Sequence, residues 1–223
     1  MNSYDTVWDA IYEAGQQLNR YPFSDIVTFL YRRAPRDRPR SAVRILEIGC
    51  GAANNLWFAA REGFAVTGLD ASPAALDYAR KRFADEGLAG DFVTGDFTRL
   101  PFADASFDIV LERGALSAAP KPAARRAVEE AARVLVPGGA MFAFIYSDRS
   151  TTRGRPAEGG MLVDTKGPFA GVGQLAFYGR AEIESLFAEA LILDSLDHNE
   201  RICMLDKPYE VYAHWSLTAT KPA

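Results

Sequence analysis

Acidic residues in this chain stand within or just after its apolar runs. Glu47 lies within Ile45-Leu46-Glu47-Ile48, Asp70 follows Phe64 to Leu69, Asp96 follows Phe92-Val93-Thr94-Gly95, and Glu112 follows Phe107 to Leu111. The first run passes straight into Gly49-Cys50-Gly51-Ala52-Ala53-Asn54-Asn55. Glycine permits the sharp turn and close backbone approach that a ligand needs, and a helix opening after it presents unpaired N–H groups. Asp70 lies about 20 residues beyond that turn, the separation at which a carboxylate can receive two ribose hydroxyls. A carboxylate at Asp96 can accept from an amino group on a ring, a backbone N–H beside it can donate to a ring nitrogen, and Phe97 with Leu100-Pro101-Phe102 can sandwich that ring. Together these residues could hold a nucleoside.

The rest of the sequence must position those ends. It has 223 residues, 48% of them hydrophobic and 24% charged, enough for one well-buried α/β domain. A formal net charge of −4 argues against a dedicated nucleic-acid binder. The arginine run Arg32, Arg33, Arg36, Arg38 and Arg40 reads as a solvated, proline-broken loop. The two cysteines, Cys50 and Cys203, are too few for a disulfide framework and have no histidine at ligand spacing, so no metal site is expected. No apolar run approaches a membrane span, and Met1 to Asp5 lack a basic start, so a cytoplasmic protein without membrane contact is expected.

Strand and helix signals alternate. Val7, Ile11, Ala14 and Leu18 predict an amphipathic helix over 3–18, with Trp8 and Tyr12 on a flanking stripe, and a second helix is expected over 23–33. Strands are predicted over 43–48, 64–70, 91–96, 107–111, 140–146, 191–197 and 209–220. Helices are predicted over 53–62, from Ser72-Pro73 to about 86, over 121–135 and over 180–190. Residues 147–179 read as polar, glycine-rich and irregular. Such alternation implies a doubly wound sheet with its ligand at the carboxyl ends of the strands. A dinucleotide fingerprint would need a third glycine, and Asn54 follows Gly49-Cys50-Gly51 instead. That, with Asp96-Phe97, favours adenosine carried without a pyrophosphate over a nicotinamide cofactor.

From about Val43 to Tyr146 the chain resembles the class I S-adenosylmethionine-dependent methyltransferases in its motifs and their order. The segment Val134-Leu135-Val136-Pro137-Gly138-Gly139 is similar to that family's R-V-L-x-P-G-G signature. The resemblance implies a Rossmann-like, seven-stranded, mostly parallel sheet with an antiparallel last strand and N-terminal lid helices. It implies one domain over 1–223, with lid helices over 1–40, a cofactor-binding core over 41–146, a substrate-side insertion over 147–179, and a closing helix and strands over 180–223. Glu47, Gly49 and Gly51 are then expected around the methionine part of S-adenosyl-L-methionine, with Asn55 and Cys50, a small buried spacer, also among the cofactor-binding residues. Asp70 is expected on the ribose, Ala71, Ser72, Asp96 and Phe97 at the adenine, and Glu112 beside the methionine moiety. Tyr12, Arg20 and Tyr21 are expected as contacts to the methionine carboxylate of the cofactor or in the lid, and Tyr4, Trp8, Tyr12 and Tyr21 could form that lid's aromatic face.

The implied activity is methyl transfer to a small molecule, on an oxygen of a sugar, carboxylate or secondary metabolite. The alternatives are a small-molecule N-methyltransferase, a non-catalytic adenosylmethionine-binding protein and a nicotinamide-dependent oxidoreductase. The D/N-P-P-Y/F motif of base and amide methylases is replaced by Leu111-Glu112-Arg113-Gly114. Arg113, Tyr146, Arg149 and Tyr178 are the substrate-side candidates, and the basic excess of the insertion suggests an anionic group on the substrate. His198, placed just after the sixth strand, is the candidate general base; His214 reads as packing. A monomer or homodimer is expected.

Overall fold

Side chains alternate across a strand, so a strand apolar at every position must be covered on both faces. The computed structural model, which describes residues 5–205 and 208–223, has this arrangement. In β1 (Arg44–Ile48), Ile45 packs with α2 (Ser24–Arg33) and α3 (Asn54–Arg61) through Ile26, Phe29, Leu30 and Leu56. Leu46 and Ile48 face the opposite layer, where α5 (Lys121–Val134) lies. The buried face of α5 is mostly alanine, which brings the helix backbone close to the sheet. The first layer is completed by α4 (Pro73–Asp85), whose first turn has Ser72 as its cap, the Oγ accepting from Ala75 N at 3.2 Å, with Pro73 next.

The other strands of this sheet are β2 (Ala65–Asp70), β3 (Asp91–Thr94), β4 (Phe107–Arg113), β5 (Leu135–Tyr146), β9 (Ile192–Ile202) and β10 (Val211–Thr220). They form a seven-stranded sheet in the order β3-β2-β1-β4-β5-β10-β9. Pairs from β3 to β5 are parallel, and β10 runs antiparallel to both β5 and β9. This is the Rossmann-like sheet implied above. Its strand order reverses at β1 and β4, so the carboxyl ends of β2, β1, β4 and β5 share one edge with a crevice between them.

Several boundaries differ from expectation for local reasons. The first helix, α1, spans only Val7–Glu13, because Gly15 (φ +71°) and Gln17 (φ +56°) are left-handed and end it. Residues 3 and 4, with Tyr4, lie outside the described residues. Strand β5 starts at Leu135, opposite Phe107, and absorbs Pro137-Gly138-Gly139 as a register shift before Ala140 meets Ile109. The 147–179 segment is not irregular. It forms a second antiparallel sheet of β6 (Arg153–Ala157), β7 (Met161–Lys166) and β8 (Leu175–Ala176). Met161 and Ala176 are buried in the α5 layer and Leu175 is buried beside them in the chain, and strands this short carry too few residues for alternation to register in sequence. α6 is Arg180–Phe187, and His198 lies inside β9 rather than beyond it. No helix among the described residues is long and apolar enough to cross a membrane.

The arginine run is tied down rather than freely solvated. Arg33 meets Asp194 at 2.5 Å, Arg40 meets Glu62 at 2.5 Å, and Arg38 meets the buried Asp108 of β4 at 2.5 Å. Asp108 also accepts the Arg44 N–H at 2.7 Å, joining β1 to β4 at the edge away from the crevice. Asp108→Ala strands that donor, and stability is expected to fall by about 1–3 kcal/mol. A lower urea midpoint at unchanged slope would be the sign of it, and an unmoved midpoint would contradict the role.

Candidate functional site

The crevice begins where β1 turns into α3. Gly49 (φ +64°) and Gly51 (φ +51°) both take left-handed backbone, and neither has room for a side chain. A Cβ on Gly49 would overlap Ala115, and one on Gly51 would overlap the Tyr12 hydroxyl. Ala53, also left-handed at φ +56°, opens α3 without a side-chain cap. A non-glycine residue held there stores backbone strain, as is common beside ligands. Asp70, at the end of β2, fixes this turn: its Oδ2 accepts Gly51 N at 2.8 Å and its Oδ1 accepts Ser72 N at 2.8 Å. Burial raises the Asp70 pKa, against the pull of those backbone donors.

Glu47 is the buried carboxyl group of the turn, at 2% exposure. Its Oε1 accepts the Asn55 amide at 2.7 Å, while Oε2 is buried with no partner. Burial pushes its carboxyl up to about 8, against the lowering effects of Asn55 and Arg113. Asn55 Oδ1 in turn accepts Phe23 N at 3.1 Å, and the Asn54 amide donates to Tyr21 O at 2.8 Å. Asn54, which stands in place of a third glycine, and its neighbour Asn55 therefore latch the α1–α2 connector over the turn. α1 is fastened separately. Asp9 accepts the Ser72 hydroxyl at 2.5 Å and Ala74 N at 3.3 Å, and Asp5 accepts Gln174 N of the insertion at 3.2 Å.

The cavity brings together Tyr12, Glu47, Gly49, Cys50, Gly51, Asn55, Asp70, Ala71, Ser72, Phe97, Arg113 and Tyr146. Trp8 lines it too, with its indole N–H buried and unpartnered. Cys50 is a buried free thiol whose pKa is raised by burial. Burial likewise raises Tyr12 and Tyr146, so both hydroxyls keep their protons at neutral pH.

Other expected residues stand elsewhere. Tyr21 is 76% exposed with its ring edge-on to Trp57, and Arg20 contributes its carbonyl to Arg82 at 2.6 Å. Asp96 folds back on Thr98, accepting its N–H and hydroxyl at 2.8 Å each, and only its neighbour Phe97 lines the cavity. Glu112 is fully buried with Oε1 on Leu116 N at 2.9 Å and Oε2 on Phe144 N at 3.2 Å; burial raises it to about 7. Arg149 pairs with Glu200 at 3.6 Å on the surface. Tyr178 is buried beneath Lys121, 4.9 Å from its ring centroid. His198 meets Ser147 Oγ at 2.8 Å and packs on Trp215, and it does not line the cavity.

Phe23, Ala115, Ala118, Val172 and Leu175 line the cavity as well. Their apolar character is common to the whole core, so nothing in the sequence distinguishes them. Asp9 was legible only as a polar position on α1, and its partner lies 63 residues away.

A family model described as a methyltransferase domain matches residues 45–139. The phthiotriol/phenolphthiotriol dimycocerosates methyltransferase of Mycobacterium tuberculosis is 35% identical over 146 residues, which are 65% of this chain and 50% of that protein. A fatty-acid O-methyltransferase of Mycolicibacterium smegmatis is 35% identical over 134 residues, 59% of this chain and 44% of that protein. The matched stretches thus cover half or less of these relatives' length. A solved SAM-dependent methyltransferase of Methanosarcina mazei has a TM-score of 0.72 at 21% identity, covering 90% of this chain and 99% of that one.

Glu47 gives the cavity a pH signature. Its folded-state pKa of about 8 exceeds the ordinary 4.5, so the folded protein binds this proton more tightly than the unfolded chain. Stability therefore falls as pH rises between those values, and Glu112 acts in the same direction. Glu47→Gln keeps an oxygen for Asn55 and is expected to flatten the decline from about pH 5 to about pH 8. Urea midpoints across that range measure it, and an undiminished slope in the variant would contradict the assignment.

Proposed function

We propose that this chain, a member of the class I S-adenosylmethionine-dependent methyltransferases, transfers a methyl group from S-adenosyl-L-methionine to an oxygen atom of a small molecule. The observation that carries the reading is Glu47 Oε2, a buried carboxylate oxygen without a partner in the wall of the cavity. Such an oxygen is costly unless a donor meets it, and the ammonium of an amino-acid moiety is a donor of the right charge. Across the same cavity Asp70 keeps lone pairs for ribose hydroxyls beyond the backbone N–H groups of Gly51 and Ser72. Phe97, with Ala71 and Ser72 nearby in the lining, offers a surface for a ring.

When bound, S-adenosylmethionine supplies a methyl group already activated on a sulfonium. The protein's share is mainly to hold the acceptor in line and to exclude water. The turn at Gly49 and Gly51 sets the floor, and α1 with the residues just before it covers the top through Asp9 and Asp5. The rings of Trp8 and Tyr12, their centroids 6.3 Å apart, both line the cavity, and aromatic rings favour positive charge beside them. Tyr12 and Tyr146, held protonated by burial, act as hydrogen-bond donors rather than bases.

An oxygen acceptor is supported by one relative, the fatty-acid O-methyltransferase, and the apolar wall of Ala118, Val172 and Leu175 suits a substrate with an apolar part. Asp70→Ala is expected to weaken S-adenosylhomocysteine binding by about 1–3 kcal/mol, roughly 5- to 150-fold, in calorimetry. NAD is expected not to bind. NAD binding without S-adenosylhomocysteine binding would overturn the reading, and undiminished affinity in the variant would remove Asp70 from it.

A further inference from the structure

We infer that Arg113 anchors the negatively charged end of the methyl acceptor, and that the acceptor is a carboxylate with an apolar remainder. This rests on the reading above, whose acceptor it narrows. Arg113 ends β4 and lines the cavity. Its guanidinium carbon lies 3.3 Å from the ring centroid of Phe23 and 4.2 Å from that of Phe144. The Nε is buried without a hydrogen-bond partner. Among the described residues no Asp or Glu oxygen lies within the 4.0 Å of an ion pair with it. Glu47 and Glu112 act on it only from longer range, and burial holds both near or above neutrality in pKa, so they balance it incompletely.

A guanidinium held between aromatic rings without an anion is costly, and a carboxylate is its natural partner in shape and charge. The position points to the acceptor. Asp70 ends β2, whereas Arg113 and Tyr146 end β4 and β5, on the other side of β1 in the sheet order. Tyr146 also packs against Phe169 of the insertion, with ring centroids 4.5 Å apart, and Leu175 of β8 lines the same cavity. An apolar tail has a wall to follow from Arg113 toward the insertion.

The chemistry balances without a base. One carboxylate oxygen stays with Arg113 while the other attacks the methyl carbon. The new C–O bond forms as the C–S bond breaks, and that electron pair returns to sulfur. One negative and one positive charge become a neutral ester and a neutral thioether, and no proton is released. The ester no longer bears the charge that Arg113 held, which favours its release.

A carboxylate at Arg113 could come from the acceptor or from the cofactor's own methionine moiety, and calorimetry on the full chain separates the two. Octanoate and 1-octanol are titrated into protein saturated with S-adenosylhomocysteine. Octanoate is expected to bind the wild type at least tenfold more tightly than octanol does. Arg113→Met is expected to lose at least tenfold in octanoate affinity, with S-adenosylhomocysteine affinity unchanged within twofold. Arg113→Lys, which keeps the charge and is less disruptive to the fold, should lie between them. Equal octanoate affinity in Arg113→Met, or no preference of the wild type for octanoate, would overturn the inference. So would a loss of S-adenosylhomocysteine affinity in Arg113→Met with 5′-methylthioadenosine, which lacks the carboxylate, unaffected. A wild type that fails to bind S-adenosylhomocysteine at all would instead sink the broader reading of function.

Discussion

The site depends on a carboxylate kept out of water at the end of β1. Glu47 is almost fully buried, and the fold satisfies one of its oxygens with Asn55 while leaving the other without a partner. A buried charge in that condition favours the neutral acid, which is why its carboxyl stands near 8. Asn55 also receives the Phe23 N–H, so the residue that steadies Glu47 also fastens the α1–α2 connector. The floor and the cover of the cavity are thereby linked through one amide side chain.

The cover is held by polar contacts rather than by a large apolar interface. In α1 only Ile11 is buried, while Asp9 reaches the first turn of α4 and Asp5 reaches the insertion. Hydrogen bonds of this kind contribute about 1 kcal/mol each in net terms, so the cover can open without unfolding the sheet beneath it. The sheet is much more heavily anchored, with apolar layers on both faces and Asp108 joining β1, β4 and Arg38 at the opposite edge. A firm floor with a lightly fastened cover suits a protein that must admit and release a ligand.

Strand ends were the legible part of this chain. Apolar runs closing on Glu47 and Asp70, and glycines before a helix, locate the cavity because backbone geometry alone dictates where such residues lie in a doubly wound sheet. Side-chain direction was less legible. Tyr12 and Tyr21 look equivalent in sequence, yet one hydroxyl sits over Gly51 and the other ring is turned outward on Trp57. Asp96 has a strand-end position, but Thr98 two residues on satisfies it locally. His198 was set beyond a strand that runs on to Ile202, because pairing with β10 extends β9 through polar residues that carry no strand pattern of their own. The second sheet in 147–179 was hidden for a related reason: its burial is against α5, far away in sequence.

The most direct measurement compares S-adenosylhomocysteine with 5′-methylthioadenosine, which lacks the amino-acid moiety, in binding to the wild type and to Glu47→Gln. If Glu47 receives the ammonium group, the substitution weakens S-adenosylhomocysteine by about 1.5–3 kcal/mol, as for a hydrogen bond to a charged group, and leaves methylthioadenosine unchanged. Equal effects on both ligands, or on neither, would contradict the role given to the buried carboxylate.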